Sequence, residues 1–401
     1  MTLTRTLLAS TFVLGLASSM MLGTAADAQT VKVGFITSFS GQNASIGEQM
    51  DQAVKLWTKV HEKELPAGVK IDIIRRDDTG PNPEVAKRLA TELITRDHVD
   101  LLTGVVWTPN AMSMAPITAE GKTPFIIMNA ATSVITTMSP YIARVSFTLW
   151  QSCYPLGQWA AKNGIKKAFI AVSDFGPGLD AEAAFTKGMT ENGGQIVEAV
   201  HMPIATQDFV PYMQKAKDAK PDAVFVFIPG GKQATGIMKA FNDAGLKQAG
   251  IKLIGPGDVT TDEELQSMGD VALGVVTMHH WSAAAKRPAN QEFMKMWKEE
   301  YGQNSWPGFP AVGAWDAMAA IYHVVTEQKG KMNGDKTMAL LKGWTDEKSP
   351  RGTFMIDPET RDVVQNEYVR RVEKVNGVLA NVEFDSVPMV KDPWKVINNK
   401  K

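Results

Sequence analysis

One cysteine, Cys153, stands in a chain of 401 residues. An intrachain disulfide is therefore excluded, and stability has to come from a buried core. Charge of one sign is lacking as well. Forty-two Lys and Arg against 43 Asp and Glu leave a net charge of −1. That excludes the basic field a nucleic-acid binder needs. Beyond the first 28 residues no stretch is long and apolar enough to span a bilayer. Repeats of 20–50 residues and low-complexity segments are absent too.

Catalytic signatures are equally scarce. The chain holds no G-x-S-x-G and no H-E-x-x-H. Gly230-Gly231-Lys232-Gln233 lacks the upstream glycine and the following Ser or Thr of a phosphate loop, and Gly176-Pro177-Gly178 does not continue as G-x-G-x-x-G. His279 and His280 are the only paired histidines. Neighbours in a strand point to opposite faces, so the pair is not expected to share a metal. An enzyme has no nucleophile–base pair or metal cluster to stand on here, and no cofactor is expected.

What is present begins with the first 28 residues. Arg5 supplies a positive start, Leu7 to Leu22 an apolar run broken by Ser and Gly, and Ala26-Asp27-Ala28 a small-residue cleavage signal before Gln29. This pattern reads as a secretory leader cleaved after Ala28, with a membrane anchor as the alternative reading. Cys153 lies outside it, so no lipid-acceptor cysteine stands at the cleavage point. Cys153 reads as a small buried apolar residue. Export to the periplasm follows.

After the leader, short apolar strands alternate with helices. Strands are expected at Val31–Ile36, Ile71–Ile74, Leu101-Leu102 and Pro124–Met128, with helices at 44–63, 83–96 and 110–120. The pattern restarts with strands at Lys167–Val172, Gln195–Val200, Ala223–Ile228, Lys252–Ile254 and Val275–Met278, and helices at 177–192 and 231–244. Such spacing predicts parallel βαβ units in two blocks. Helices at 289–302, 311–328 and 335–343 come next, then short extended pieces at 352–356 and 364–374. Helices without a sheet of their own have to pack onto one already built. The economical fold is α/β: two doubly wound parallel-sheet lobes, with the chain crossing between them more than once.

Several of these segments resemble leucine/isoleucine/valine-type periplasmic binding proteins of the type I periplasmic-binding fold. The similarity rests on Val31 to Gly41 running on to Gly47, Asp77-Asp78-Thr79, Gly104 with Thr108, Pro124-Phe125 and Asn129 to Thr132. It continues in Asp174-Phe175-Gly176 with Gly178, Gly255-Pro256, and Gly313 to Met318. The resemblance implies a three-crossing hinge, placed near 142–148, 276–284 and 347–352. Residues 29–145 and 282–349 then form one lobe, and 146–281 and 350–401 the other. The ligand cleft lies between them, at the C-terminal ends of the strands. It also implies a receptor for a small carboxylate that serves an inner-membrane ABC permease as a monomer. A sensor subunit of the same fold is an alternative that the residues do not separate.

In that family a Ser or Thr after the third strand and an Ala-x-Thr after the fourth hold the ligand carboxylate. The matching positions are Thr108, Ala130 and Thr132. Helix N-termini offer unpaired N–H groups and hydroxyls add donors, although both threonines also fit plain helix caps. Phe175 matches the aromatic that covers the ligand from the second lobe, with core packing as its alternative. The position of the ammonium-binding acid is Gly257, with Asp258 following. Without a firm acid a buried ammonium lacks a partner. Meanwhile Trp107, Met128, Phe175, His280 and Trp281 gather aromatic and polarisable surface near the expected rim, with Trp306 and Phe309 further candidates. Aromatic walls suit flat ligands, so an aromatic acid of benzoate or phenylpropenoid type is expected over a branched-chain or other amino acid.

Overall fold

The computed structural model describes residues 29–398 apart from Gln42. The leader and its cleavage point lie outside the described residues. Within them, no helix is long and apolar enough to cross a membrane.

The first sheet contains β1 (Gln29–Thr37), β2 (Val69–Asp77), β3 (Leu101–Gly104), β4 (Phe125–Ile127) and β5 (Ile142–Arg144). They are parallel, in the order β2-β1-β3-β4-β5. Buried strands such as Phe125–Ile127 are continuous apolar runs because helices cover both faces. Local chemistry sets where those helices begin. Asn82 accepts a hydrogen bond from the Val85 N–H at the start of Pro83–Thr95, with Pro83 at the first turn. The helix Phe309–Glu327 is buried along nearly its whole length and packs on Ala44–His61. This hydrophobicity on every side is what a helix enclosed in a core requires.

The second sheet begins with parallel strands β6 (Lys167–Ser173), β7 (Gln195–Met202), β8 (Ala223–Phe227), β9 (Lys252–Pro256) and β10 (Val276–His279). Antiparallel strands extend it: β11 (Thr345–Asp346), β12 (Phe354–Ile356), β13 (Val363–Val375) and β14 (Val378–Val390). The order is β11-β12-β13-β10-β9-β8-β6-β7, with β14 paired to β13. The expected extended piece at 364–374 is thus half of a long hairpin. Its turn is Asn376-Gly377, with φ of 52° and 81°. Two residues of positive φ join strands whose natural twist they match. A helix that the periodicity did not announce, Leu149–Lys162, opens with a capping box from Thr148 and Gln151.

The chain leaves the first sheet after β5, returns after β10 to build the helices from Pro288 to Leu341, and joins the second sheet again at β11. Three buried arginines knit these connections. Arg144 Nε donates to Asp362 Oδ1 at 2.7 Å. Arg351 donates to the Ser146 carbonyl at 2.6 Å, with its Nη2 2.6 Å from Asp316 Oδ2. Arg370 hydrogen-bonds Thr277 and the Trp281 carbonyl. Buried guanidiniums need such partners at every face.

Candidate functional site

The site grows from the ends of β3 and β4. Gly104 and Val105 turn the chain sharply, at φ of 109° and 65°, so that helix Thr108–Glu120 starts directly at the strand end. Trp107 precedes that helix. Its indole N–H donates to Ser38 Oγ at 3.0 Å, Ser38 donates to Asp78 Oδ1 at 2.6 Å, and Asn110 holds the other carboxylate oxygen at 2.8 Å. This buried chain fixes the Trp107 ring. Thr108 and Thr132 bring their hydroxyls to 2.9 Å from each other. Arg144 supports the second loop from behind, donating to the carbonyls of Ala130 and Thr132 at 2.8 and 2.9 Å. Burial lowers its pKa to about 10, so it stays charged at neutral pH.

The second lobe meets this surface closely. The Ser133 N–H donates to Asp180 Oδ2 at 2.8 Å. Phe175 stands with its ring 6.2 Å from Trp107 and 6.0 Å from Phe227. Phe147 contacts His279, His280 and Phe309, with centroids 4.8, 5.3 and 5.4 Å away. Trp107, Asn129, Phe147, Phe175, Phe227 and Asp258 enclose part of a cavity of about 30 Å³. Ligand pockets run to roughly 300–1,000 Å³. The lobes are therefore closed upon each other, and a ring-sized molecule enters only as they part. A roomier cavity exists outside the cleft and shares none of these residues.

Polar groups in this aromatic interior are left over. Asn129 Oδ1, Asp258 Oδ2 and both ring nitrogens of His279 and His280 are buried without a hydrogen-bond partner. Such orphans are costly unless something pairs with them. Burial raises Asp258 to about 7, with Arg370 as a partial counterweight. Burial drives both histidines well below their ordinary value, so they are neutral imidazoles, each with one donor and one acceptor.

The structure brings Trp107, Thr108, Thr132, Phe175, Asp258 and His280 to the cleft. Met128 and Ala130 sit behind it. Met128 is fully buried in the core, and the Ala130 N–H is taken by the Val105 carbonyl. Ala131 lines the cavity in its place. Trp281 is also inside, its N–H donating to Asn290 Oδ1 at 2.6 Å. Trp306 lies under the Lys298 ammonium on another surface. The histidines depart from the expected alternation. β10 ends at His279, and the two rings approach to 4.2 Å. Even so, no group of three potential metal ligands forms among the described residues. Sequence reasoning missed Phe147, His279, Phe227 and Asp180, which tertiary contacts between distant segments bring to the site.

Comparison with known proteins gives a consistent set. A family model described as "Periplasmic binding protein" matches residues 30–377. The Leu/Ile/Val-binding protein homolog 6 of Brucella melitensis is 40% identical, over 94% of this chain and 97% of its own. A solute-binding protein of an ABC transporter from Rhodopseudomonas palustris BisB5, solved with 3,4-dihydroxybenzoic acid, is 50% identical. It superposes with a TM-score of 0.88, over 91% of this chain and 99% of its own. Another from R. palustris, solved with 4-hydroxybenzoate, is 40% identical with a TM-score of 0.89, over 92% and 100% of the two chains.

Proposed function

Because the chain belongs to the periplasmic binding protein family, we propose that it is the receptor of an ABC importer for a hydroxylated aromatic carboxylic acid. The observation that carries this reading is the polarity pattern of the cleft. One end offers the Thr108 and Thr132 hydroxyls, backed by Arg144. Nearby lie Asp258, His279 and His280, unpartnered within aromatic walls. A carboxylate suits the hydroxyl end. A phenolic hydroxyl, both donor and acceptor, suits neutral imidazoles and a carboxyl that titrates near neutrality. Trp107, Phe147 and Phe175 supply flat apolar surface for the ring. The ligands of the two R. palustris proteins support the same class.

In this reading the protein is monomeric, acts in the periplasm after removal of residues 1–28, and presents its closed form to a membrane permease. Its lobes are 29–145 with 282–349, and 146–281 with 350–401. Closure is a hinge motion about the three connections. A second reading, an amino-acid receptor, draws on the orphaned Asp258 carboxylate as an ammonium partner and on the Brucella relative.

Thermal unfolding with 4-hydroxybenzoate, 3,4-dihydroxybenzoate, benzoate and leucine separates the two. A ligand at a hundred times its dissociation constant stabilises by about 2.7 kcal/mol. Stabilisation by the hydroxybenzoates alone supports the proposal. Stabilisation by leucine alone replaces it with the amino-acid reading. Thr132→Val is expected to weaken hydroxybenzoate binding about tenfold by removing a donor at the anion end.

A further inference from the structure

The roomier cavity, about 880 Å³, lies between the helices Ala44–His61 and Phe309–Glu327 and the segments around Arg287 and 344–353. Its size is that of a small-molecule site. Its walls are aromatic. Trp57 meets Trp315 and Tyr322 edge-on, with centroids 4.7 and 5.7 Å away. A further wall is His323 stacked on Trp344 at 5.4 Å. Burial lowers the pKa of His323 from its ordinary value, with Glu327 acting against the shift.

The charge around these rings is mostly negative. Five carboxylates line the cavity: Glu64, Glu292, Glu327, Asp346 and Glu347. Glu64 is already bonded to His61 Nδ1 at 2.9 Å, and against the acids stand Arg287 and Lys348. Arg287 is already engaged, donating twice to Glu383 at 2.7 and 3.0 Å and lying 4.4 Å above the Tyr368 ring. The cavity thus presents aromatic rings inside a negative field. A cation placed over an aromatic face gains from the ring quadrupole, and nearby carboxylates add to that attraction. One end of the cleft differs, with the Thr108 and Thr132 hydroxyls backed by the Arg144 guanidinium.

We propose that this cavity is a second ligand site, separate from the cleft, that takes an organic ammonium cation with an aromatic body. The inference does not depend on the ligand assigned to the cleft.

The test is calorimetric titration of the purified protein with phenethylamine at neutral pH, with and without excess 3-phenylpropionate. The two probes share a ring and similar length but carry opposite charge. Phenethylamine is expected to bind once per chain, and 3-phenylpropionate to leave that binding in place. Trp344→Ala is expected to weaken it at least tenfold. Glu327→Gln, an exposed change that spares the core, is expected to weaken it two- to fivefold. The proposal is overturned by absence of phenethylamine binding, by its displacement by 3-phenylpropionate, or by unchanged affinity in Glu327→Gln.

Discussion

The backbone N–H of Ser133 donates to Asp180 Oδ2 at 2.8 Å, joining the loop after β4 to the helix Gly176–Glu191 of the other lobe. The bond exists only while the lobes are closed, so it adds to the closed state and nothing to the open one. Its removal therefore reduces ligand affinity through the conformational equilibrium. Asp180→Ala is expected to raise the dissociation constant of 4-hydroxybenzoate about fivefold, the equivalent of roughly 1 kcal/mol for one hydrogen bond. Calorimetry reads this directly. Unaltered affinity would mean that the bond contributes nothing to closure.

Gly176 tests closure from the steric side. A Cβ at this position would stand 2.9 Å from Thr132 Oγ1 and 3.2 Å from Thr108 Cγ2. Its backbone is not in the left-handed region, so alanine is unstrained within its own lobe. Gly176→Ala is expected to hold the lobes apart, weakening the ligand at least tenfold while the ligand-free melting temperature stays within about 2 °C. Normal affinity would show that the cleft closes less tightly around its ligand than in this structure.

The limits of sequence reading follow the same division. Strands such as Ala223–Phe227 were legible because a central strand buried on both faces is an unbroken apolar run. Thr108 and Thr132 were singled out by the resemblance to leucine/isoleucine/valine-type binding proteins, and their hydroxyls lie 2.9 Å apart. Phe147, His279 and Asp180 were not legible, since they meet the site through contacts between segments far apart in sequence that no periodicity encodes. Trp281 and Met128 are apolar residues near a strand end, as Trp107 is, but side-chain direction sends them into the core. The hairpin of β13 and β14 escaped notice because bulges near Gln365 and Val369 interrupt its alternation and much of β14 faces solvent. The Asn376-Gly377 turn was its available signal.

Glu263 makes closure sensitive to pH. It belongs to the second lobe, and its carboxylate abuts Gly308, whose N–H is held by Gln49 of the first lobe at 2.8 Å. Burial raises it from 4.5 to about 8, and the like charges of Asp262, Glu264 and Asp258 add to the shift. A raised carboxyl pKa favours the protonated closed form. That stability is fully present at low pH and is lost as pH rises from about 4.5 through about 8. Parting Glu263 from Gly308 is expected to hydrate the carboxylate and release the constraint. Ligand affinity is therefore expected to fall as pH rises from about 4.5 to about 8 and to level off above that, with Glu263→Gln flattening the profile. A wild-type profile parallel to that of the variant would remove Glu263 as the cause.

The last expectation concerns stability. Asp362 is buried between Arg144 and Lys395, accepting from Arg144 Nε at 2.7 Å and touching the Lys395 amine, whose pKa burial lowers to about 6. Arg144 ends β5, Asp362 precedes β13 and Lys395 lies in the C-terminal helix Pro393–Asn398, so one carboxylate ties three distant segments together. Asp362→Ala leaves the Arg144 guanidinium in the interior with reduced compensation, a change that costs about 3–5 kcal/mol when one partner of a buried pair is removed. Asp362→Asn keeps an acceptor for Arg144 but loses the charge, and is expected to fall between alanine and wild type. Urea unfolding midpoints rank the three. A loss below about 1 kcal/mol in Asp362→Ala would mean that Asp392 and Asp180, the other acids near Arg144, neutralise the cluster without Asp362.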